Sequence, residues 1–187
     1  RFLKIGNHDN KSTMDSYTSK IKYFAYIILA GFAFYINYFF ANIGLYPIDT
    51  FSFFDSGYLV TQGYHPVKDF WVISGVLIDY LQALFFIIFG YNWNAYIYHS
   101  SMMNVLISVF FFFFLNNLRN NIYSNFFLSI SFAILCYPVA GTPFPYQHAY
   151  IISLMSIMIF YLAVYKEDKK YWIILPVFML FSFLSMQ

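Results

Sequence analysis

Five stretches of the chain are apolar at nearly every position, and the polar residues between them fall into short clusters. The first apolar run covers residues 22–44 and ends at Gly44 and Pro47. The second covers 95–116 and is closed by Asn116, Asn117 and Arg119. A third, over about 122–140, stops in Pro138, Gly141, Pro143 and Pro145. A fourth, over about 149–165, stops in Lys166, Glu167, Asp168, Lys169 and Lys170, and a fifth runs from Tyr171 to Gln187. Each approaches the roughly 20 residues that a helix needs to cross a bilayer. Apolar residues occupy every side of these segments, as lipid-facing helices require, and the aromatic block Phe110 to Phe114 reads as lipid contact and packing.

A sixth apolar segment, residues 75–90 (GVLIDYLQALFFIIFG), is shorter. As a helix it would reach about 24 Å, less than the roughly 30 Å hydrocarbon core. Asp79 and Gln82 stand three apart and so share one side of that helix. The positive charges decide whether it spans. If it does not, the N-terminal tail, Arg119 and the 166–170 cluster share one side, which leaves only Lys68 opposite among the 10 Lys and Arg. If it does, those charges divide evenly. The positive-inside bias therefore predicts an interfacial helix. The expected fold is an all-α membrane protein of about five transmembrane helices. Residues 1–21 form a cytoplasmic polar tail, and a long outer loop at 45–94 carries interfacial helices.

Composition agrees with this class. The chain is 61% hydrophobic and 10% charged, with 26 Phe and 19 Tyr, more apolar surface than a soluble domain of 187 residues could bury. No motif gathers the basic residues into a nucleic-acid face, which excludes that function. Cys136 is the only cysteine and forms no intrachain disulfide. The chain begins at Arg1 rather than Met and stops inside an apolar run, so the expectation is the N-terminal part of a longer protein, inactive on its own.

The acids are not spread evenly. Asp49, Asp55, Asp69 and Asp79, half of the 8 acids, lie between residues 49 and 90, with His65 and Lys68 among them. A carboxylate is costly beside lipid unless it faces water, a partner or a substrate. Long structured loops are uncommon and often functional. Phe51, Phe53, Phe54, Tyr58, Phe70 and Trp71 suit headgroup depth, so the segment fits a ligand that is half lipid and half polar. The second outer turn, GTPFPYQH, adds Tyr146, Gln147 and His148. A structural role competes at each position. Asp49 follows Pro47 as a turn residue would, Asp55 could cap a helix, and Lys68 could simply pair with Asp69. Asp79 could mark the wet face of the interfacial helix. His99 enters the second span, where packing or hydrogen bonding is the simpler role. His65, His99 and His148 follow no known metal-ligand spacing.

The order FFDSGYLVTQGYHPVKDFWVISGVLIDYLQALFFIIFG, then an apolar span, a basic turn, another span and GTPFPYQHAY, resembles the GT-C membrane glycosyltransferases. It is closest to the bacterial branch similar to protein O-mannosyltransferases and the lipid A aminoarabinose transferase. The positions that carry the likeness are Asp55, Gly63, Pro66, Asp69, Phe70, Trp71, Gly75, Tyr80, Phe89 and Gly90, within a resemblance over about residues 20–187. It implies transfer of a sugar from a polyprenyl-phosphate carrier to a lipid, glycan or protein acceptor on the outer face, in a bacterial inner membrane. It also implies Asp55 as the general base, taking a proton from the acceptor hydroxyl as that attacks the anomeric carbon with inversion. Asp69, Lys68, His65, His148 and Asp79 would bind substrate, with Lys68 and His65 the local groups for the leaving phosphate. The resemblance implies no certain cofactor and leaves room for a divalent metal at Asp69. Family members commonly carry an acid in the second outer turn, where this chain has Tyr146-Gln147-His148.

Two rival classes remain at this point. A transporter, flippase or scaffold of lipid-linked sugars could share the topology, although transporters place charge within broken spans and these spans hold almost none. A lipid-linked oligosaccharide polymerase or ligase would share the substrate class.

Overall fold

The computed structural model describes residues 6–43, 47–72, 74–119 and 121–186, without side chains at 6–19 and 47–49. The chain forms seven helices among these residues: α1 (Gly6–Ala41), α2 (Pro47–Thr61), α3 (Leu77–Phe89), α4 (Trp93–Leu118), α5 (Ile122–Leu135), α6 (Pro145–Lys166) and α7 (Lys169–Ser185). Local chemistry fixes several of the boundaries. Asn92 and Asn121 cap α4 and α5 by accepting from the backbone N–H of Ala95 at 2.9 Å and Ser124 at 3.1 Å. Pro145 opens α6, where a missing N–H costs nothing. Gly90, at φ 82, ends α3.

α4 is the axis of an all-α bundle. α1 packs antiparallel to it: Asn104 donates to Ala33 O at 2.8 Å, and Leu29 lies with Phe112 in one buried cluster. α5 returns antiparallel, stacking Phe132 on Phe111 at 4.6 Å and placing Asn125 beside Asn116 at 2.9 Å. α6 runs down again, with Tyr161 against Phe114 at 5.7 Å, and α7 comes back along α6, joined by Ser153 and Ser182 at 2.6 Å. At one pole Gly141 lies so close to Ala41 that an added Cβ would stand 2.9 Å from its Cα. α2 and α3 cap that same pole.

Three segments are long and apolar enough to cross a membrane: Lys20–Ala41 within α1, α4 and α6. This is the architecture of a multispanning membrane protein. The differences from expectation are local. The polar stretch ahead of the first apolar run is helical backbone continuous with α1 from Gly6. The third apolar run leaves helical geometry after Leu135, where Tyr137 and Pro138 turn the chain, so α5 has 14 residues. The 45–94 region does carry helices, two of them, and Asp49 lies on the first rather than in a turn, its side chain outside the described residues.

Candidate functional site: a two-carboxylate cavity over the bundle

α2 and α3 pair closely because α2 offers a glycine at the crossing. A Cβ on Gly57 would sit 2.8 Å from Gln82 Cβ, and the ring of Phe54 meets Phe86 edge to face at 4.8 Å. Between the two helices and the segment that joins them lies a cavity of about 300 Å3. Asp55, Ser56 and Phe53 line it from α2, Phe70 and Trp71 from the joining segment, and Asp79 from α3.

The two carboxylates sit in different environments. Asp55 is exposed. Asp79 is only 3% exposed and accepts from the Ser56 hydroxyl at 2.5 Å. Burial raises its pKa to about 6, against the opposing pull of the Ser56 hydrogen bond. Asp79 therefore belongs to the buried face of α3, not to a wet one. Gln82 shares that face, as their spacing of three residues requires.

The segment between the helices is held by its own backbone. Val67 N–H donates to Phe70 O at 3.0 Å and Asp69 N–H to His65 O at 2.9 Å, while Asp69 Oδ2 accepts from His65 N–H at 2.8 Å. Val67 adopts φ 71, a strained state for a β-branched residue that these bonds enforce. The same turn leaves Trp71 82% exposed at the cavity rim. Lys68 stands 3.8 Å from Asp69 Oδ1, and its side chain is 76% exposed. His65 Nδ1 is 3.4 Å from Tyr80 OH.

The structure thus brings Asp55 and Asp79 to one cavity and leaves His65, Lys68 and Asp69 on the outer surface of the joining turn. His148 belongs to neither group. It is fully buried at the start of α6, below the cap, with Nε2 3.0 Å from His99 Nε2. The second turn supports the cap from beneath: Thr142 meets Thr50 at 3.3 Å, Phe144 meets Phe53 at 6.1 Å, and Tyr96 OH donates to Thr50 O at 2.8 Å. Sequence reasoning did not join His99 to His148 or to Gln82. The spacing of Asp79 and Gln82 gives them a shared side of α3, but that side, expected to be wet, faces the interior. No three His, Cys, Asp or Glu side chains among the described residues converge on a point that could hold a metal ion. Asp69 is occupied by His65 N–H and Lys68 and does not line the cavity, so these residues do not fit a resident divalent ion.

No protein-family model, curated protein or solved structure matches the chain.

Proposed function

We propose that the chain is part of a GT-C-type glycosyltransferase that moves a sugar from a polyprenyl-phosphate carrier to an acceptor in the cavity under α2 and α3. One observation carries this reading: the cavity combines two carboxylates in unequal environments with an aromatic rim at one pole of an apolar bundle. Unequal carboxylates divide chemical labour. Asp55, open to solvent, takes the acceptor hydroxyl proton as the oxygen attacks the anomeric carbon and the bond to the carrier phosphate breaks. Asp79, held by Ser56, orients sugar hydroxyls. Lys68 and His65, outside the cavity, can meet a carrier phosphate at the rim.

The topology that goes with this reading has five passes: the apolar part of α1, then α4, α5, α6 and α7. α5 is short by itself, about 21 Å at 14 residues. The turn from Cys136 to Gly141 completes the crossing, since Gly141 reaches Ala41 and Asn37 Nδ2 donates to Gly141 O at 3.0 Å. α2 and α3 then lie on the outer face in a bacterial inner membrane. The charge distribution supports the orientation, as Arg119 and Lys166, Lys169 and Lys170 cluster at the other pole.

The test is transfer by the complete protein in proteoliposomes, using a polyprenyl-phosphate sugar and the envelope glycolipids of the host as acceptors. Asp55→Asn lowers transfer by roughly 10²–10⁴-fold while the protein remains folded. Turnover equal to wild type would remove Asp55 as base. Facilitated movement of the carrier across the bilayer without transfer would favour a flippase.

A further inference from the structure

A chain of side chains joins the cap to the second turn through the interior. Tyr137 OH lies 2.9 Å from His148 Nδ1, His148 Nε2 lies 3.0 Å from His99 Nε2, and His99 Nδ1 lies 2.9 Å from Gln82 Oε1. All four residues are buried, and Phe85 stacks on His99 at 5.1 Å.

Hydrogen-bond chemistry limits the protons to two arrangements. Two bare imidazole nitrogens repel at this separation, so one proton must lie between the Nε2 atoms. A neutral pair holds one further proton, on one of the two Nδ1 atoms. With the carbonyl oxygen of Gln82 turned to His99, that proton is on His99. His148 Nδ1 is then bare and accepts from Tyr137, and His148 Nε2 supplies the shared proton. Every donor in the chain points from Tyr137 toward Gln82.

The opposite polarity is also built in. Phe144 O lies 3.0 Å from His148 Nδ1 and could accept from it. His99 Nδ1 would then be bare, and Gln82 would have to turn its amide over and donate through Nε2, which has no partner among the described residues. The side chain of Gln82 therefore reads which way the pair is polarised. It does so one helical turn from Asp79 and against Gly57, next to the Ser56 that holds Asp79.

We infer that His99 and His148 are positioning residues that share one proton, and that this proton fixes the amide of Gln82 and so holds the Asp79 face of α3 against α2. The ligand of this second site is a proton. The inference does not rest on sugar transfer, because none of its readouts needs turnover.

The experiment is 15N NMR of the complete protein labelled at histidine in nanodiscs, paired with thiol labelling of Ser74→Cys at the cavity in a Cys136→Ala background. The expected spectrum has a scalar coupling across an Nε2–H···Nε2 bond, one protonated Nδ1 at His99 and one bare Nδ1 at His148. Gln82→Leu keeps the coupling, removes the preference for protonation at His99 Nδ1, and raises labelling at position 74 by roughly threefold as α3 loosens. His148→Phe removes the coupling. If that variant does not fold, Gln82→Leu alone decides. Two uncoupled histidines, a spectrum in which added zinc or copper(I) replaces the shared proton at one equivalent, or unchanged labelling in Gln82→Leu would each overturn the inference.

Discussion

The cap and the bundle beneath it handle polar groups in opposite ways. In the cap, Asp55 and Asp69 are exposed, and Lys68 holds Asp69 only at 3.8 Å. In the bundle, the buried polar groups are amides, hydroxyls and imidazoles: Asn37, Ser100, Ser101, Asn104, His99 and His148. They bond to each other or to helix carbonyls, as Asn104 does to Ala33 O at 2.8 Å and Ala133 O at 3.0 Å. A neutral group costs far less to bury than a charge, and one hydrogen bond can offset it. Charge therefore collects where water or a substrate can reach it, and neutral polarity ties helices together. Among the described residues Asp79 is the one carboxylate buried in the interior.

Variants can break this contrast, starting with the acid that carries most of the proposed chemistry. Asp55→Asn keeps size and polarity but removes the base, so transfer should fall by roughly 10²–10⁴-fold. Because Asp55 is exposed, the melting temperature should not move. A parallel loss of both would place Asp55 in the fold rather than in the reaction.

Asp79 should do the reverse and affect stability through pH. Its folded pKa is raised from 3.8 to about 6, so between those values the folded protein holds more protons than the unfolded chain. Stability is then greatest near pH 4 and falls as pH rises through about 6, by at most about 3 kcal/mol for a shift of this size. Asp79→Asn should flatten that slope, because the amide can still accept from Ser56 and carries no charge. Thermal melts of the detergent-solubilised protein between pH 4 and pH 8 read this directly. A wild-type melting temperature that climbs over this range would have the wrong sign.

Gly75 tests where cap and bundle meet. An added Cβ would overlap the backbone of Leu184 and Ser185 at the end of α7, and backbone cannot step aside as a side-chain tip can. Gly75→Ala should cost about 1–3 kcal/mol, lowering the melting temperature by several degrees. Gly31→Ala is the control, since nothing lies within 4 Å of its added Cβ. Equal effects from the two would mean that α7 does not press on the cap.

Much of the bundle was legible in advance because lipid imposes one rule on every spanning residue. The polar cluster Asn116, Asn117 and Arg119 and the prolines up to Pro145 close or open the apolar runs, and the observed ends of α4 and α6 fall within a few residues of those runs. The end of α5 was less legible, since Tyr137 and Pro138 look apolar but leave the helix. The acids of the cap stood out because half of the chain's 8 acids fall between residues 49 and 90, amid aromatic residues. What separated Asp79 from Asp69 was not visible: both are aspartates in an aromatic segment, and only the packing of α3 on α2 buries one of them. The histidine pair was the least legible feature. His99 and His148 lie 49 residues apart on different helices, and no local pattern reports a contact made through tertiary packing.

The smallest effect should come from Lys68, and it sharpens the contrast from the exposed side. With 76% of its side chain exposed and Asp69 Oδ1 at 3.8 Å, Lys68 makes the kind of surface pair that contributes little to stability. Lys68→Met should leave the melting temperature unchanged. If the rim receives the carrier phosphate, the same substitution should raise the KM for the polyprenyl-phosphate sugar by less than about tenfold and leave kcat nearly constant, because a flexible, solvated ammonium binds ground state and transition state alike. The KM effect should shrink as ionic strength rises. A fall in kcat with KM unchanged would instead mean that Lys68 meets the departing phosphate only as its charge develops, and would move part of the chemistry from the cavity to the turn held by Val67 and Phe70.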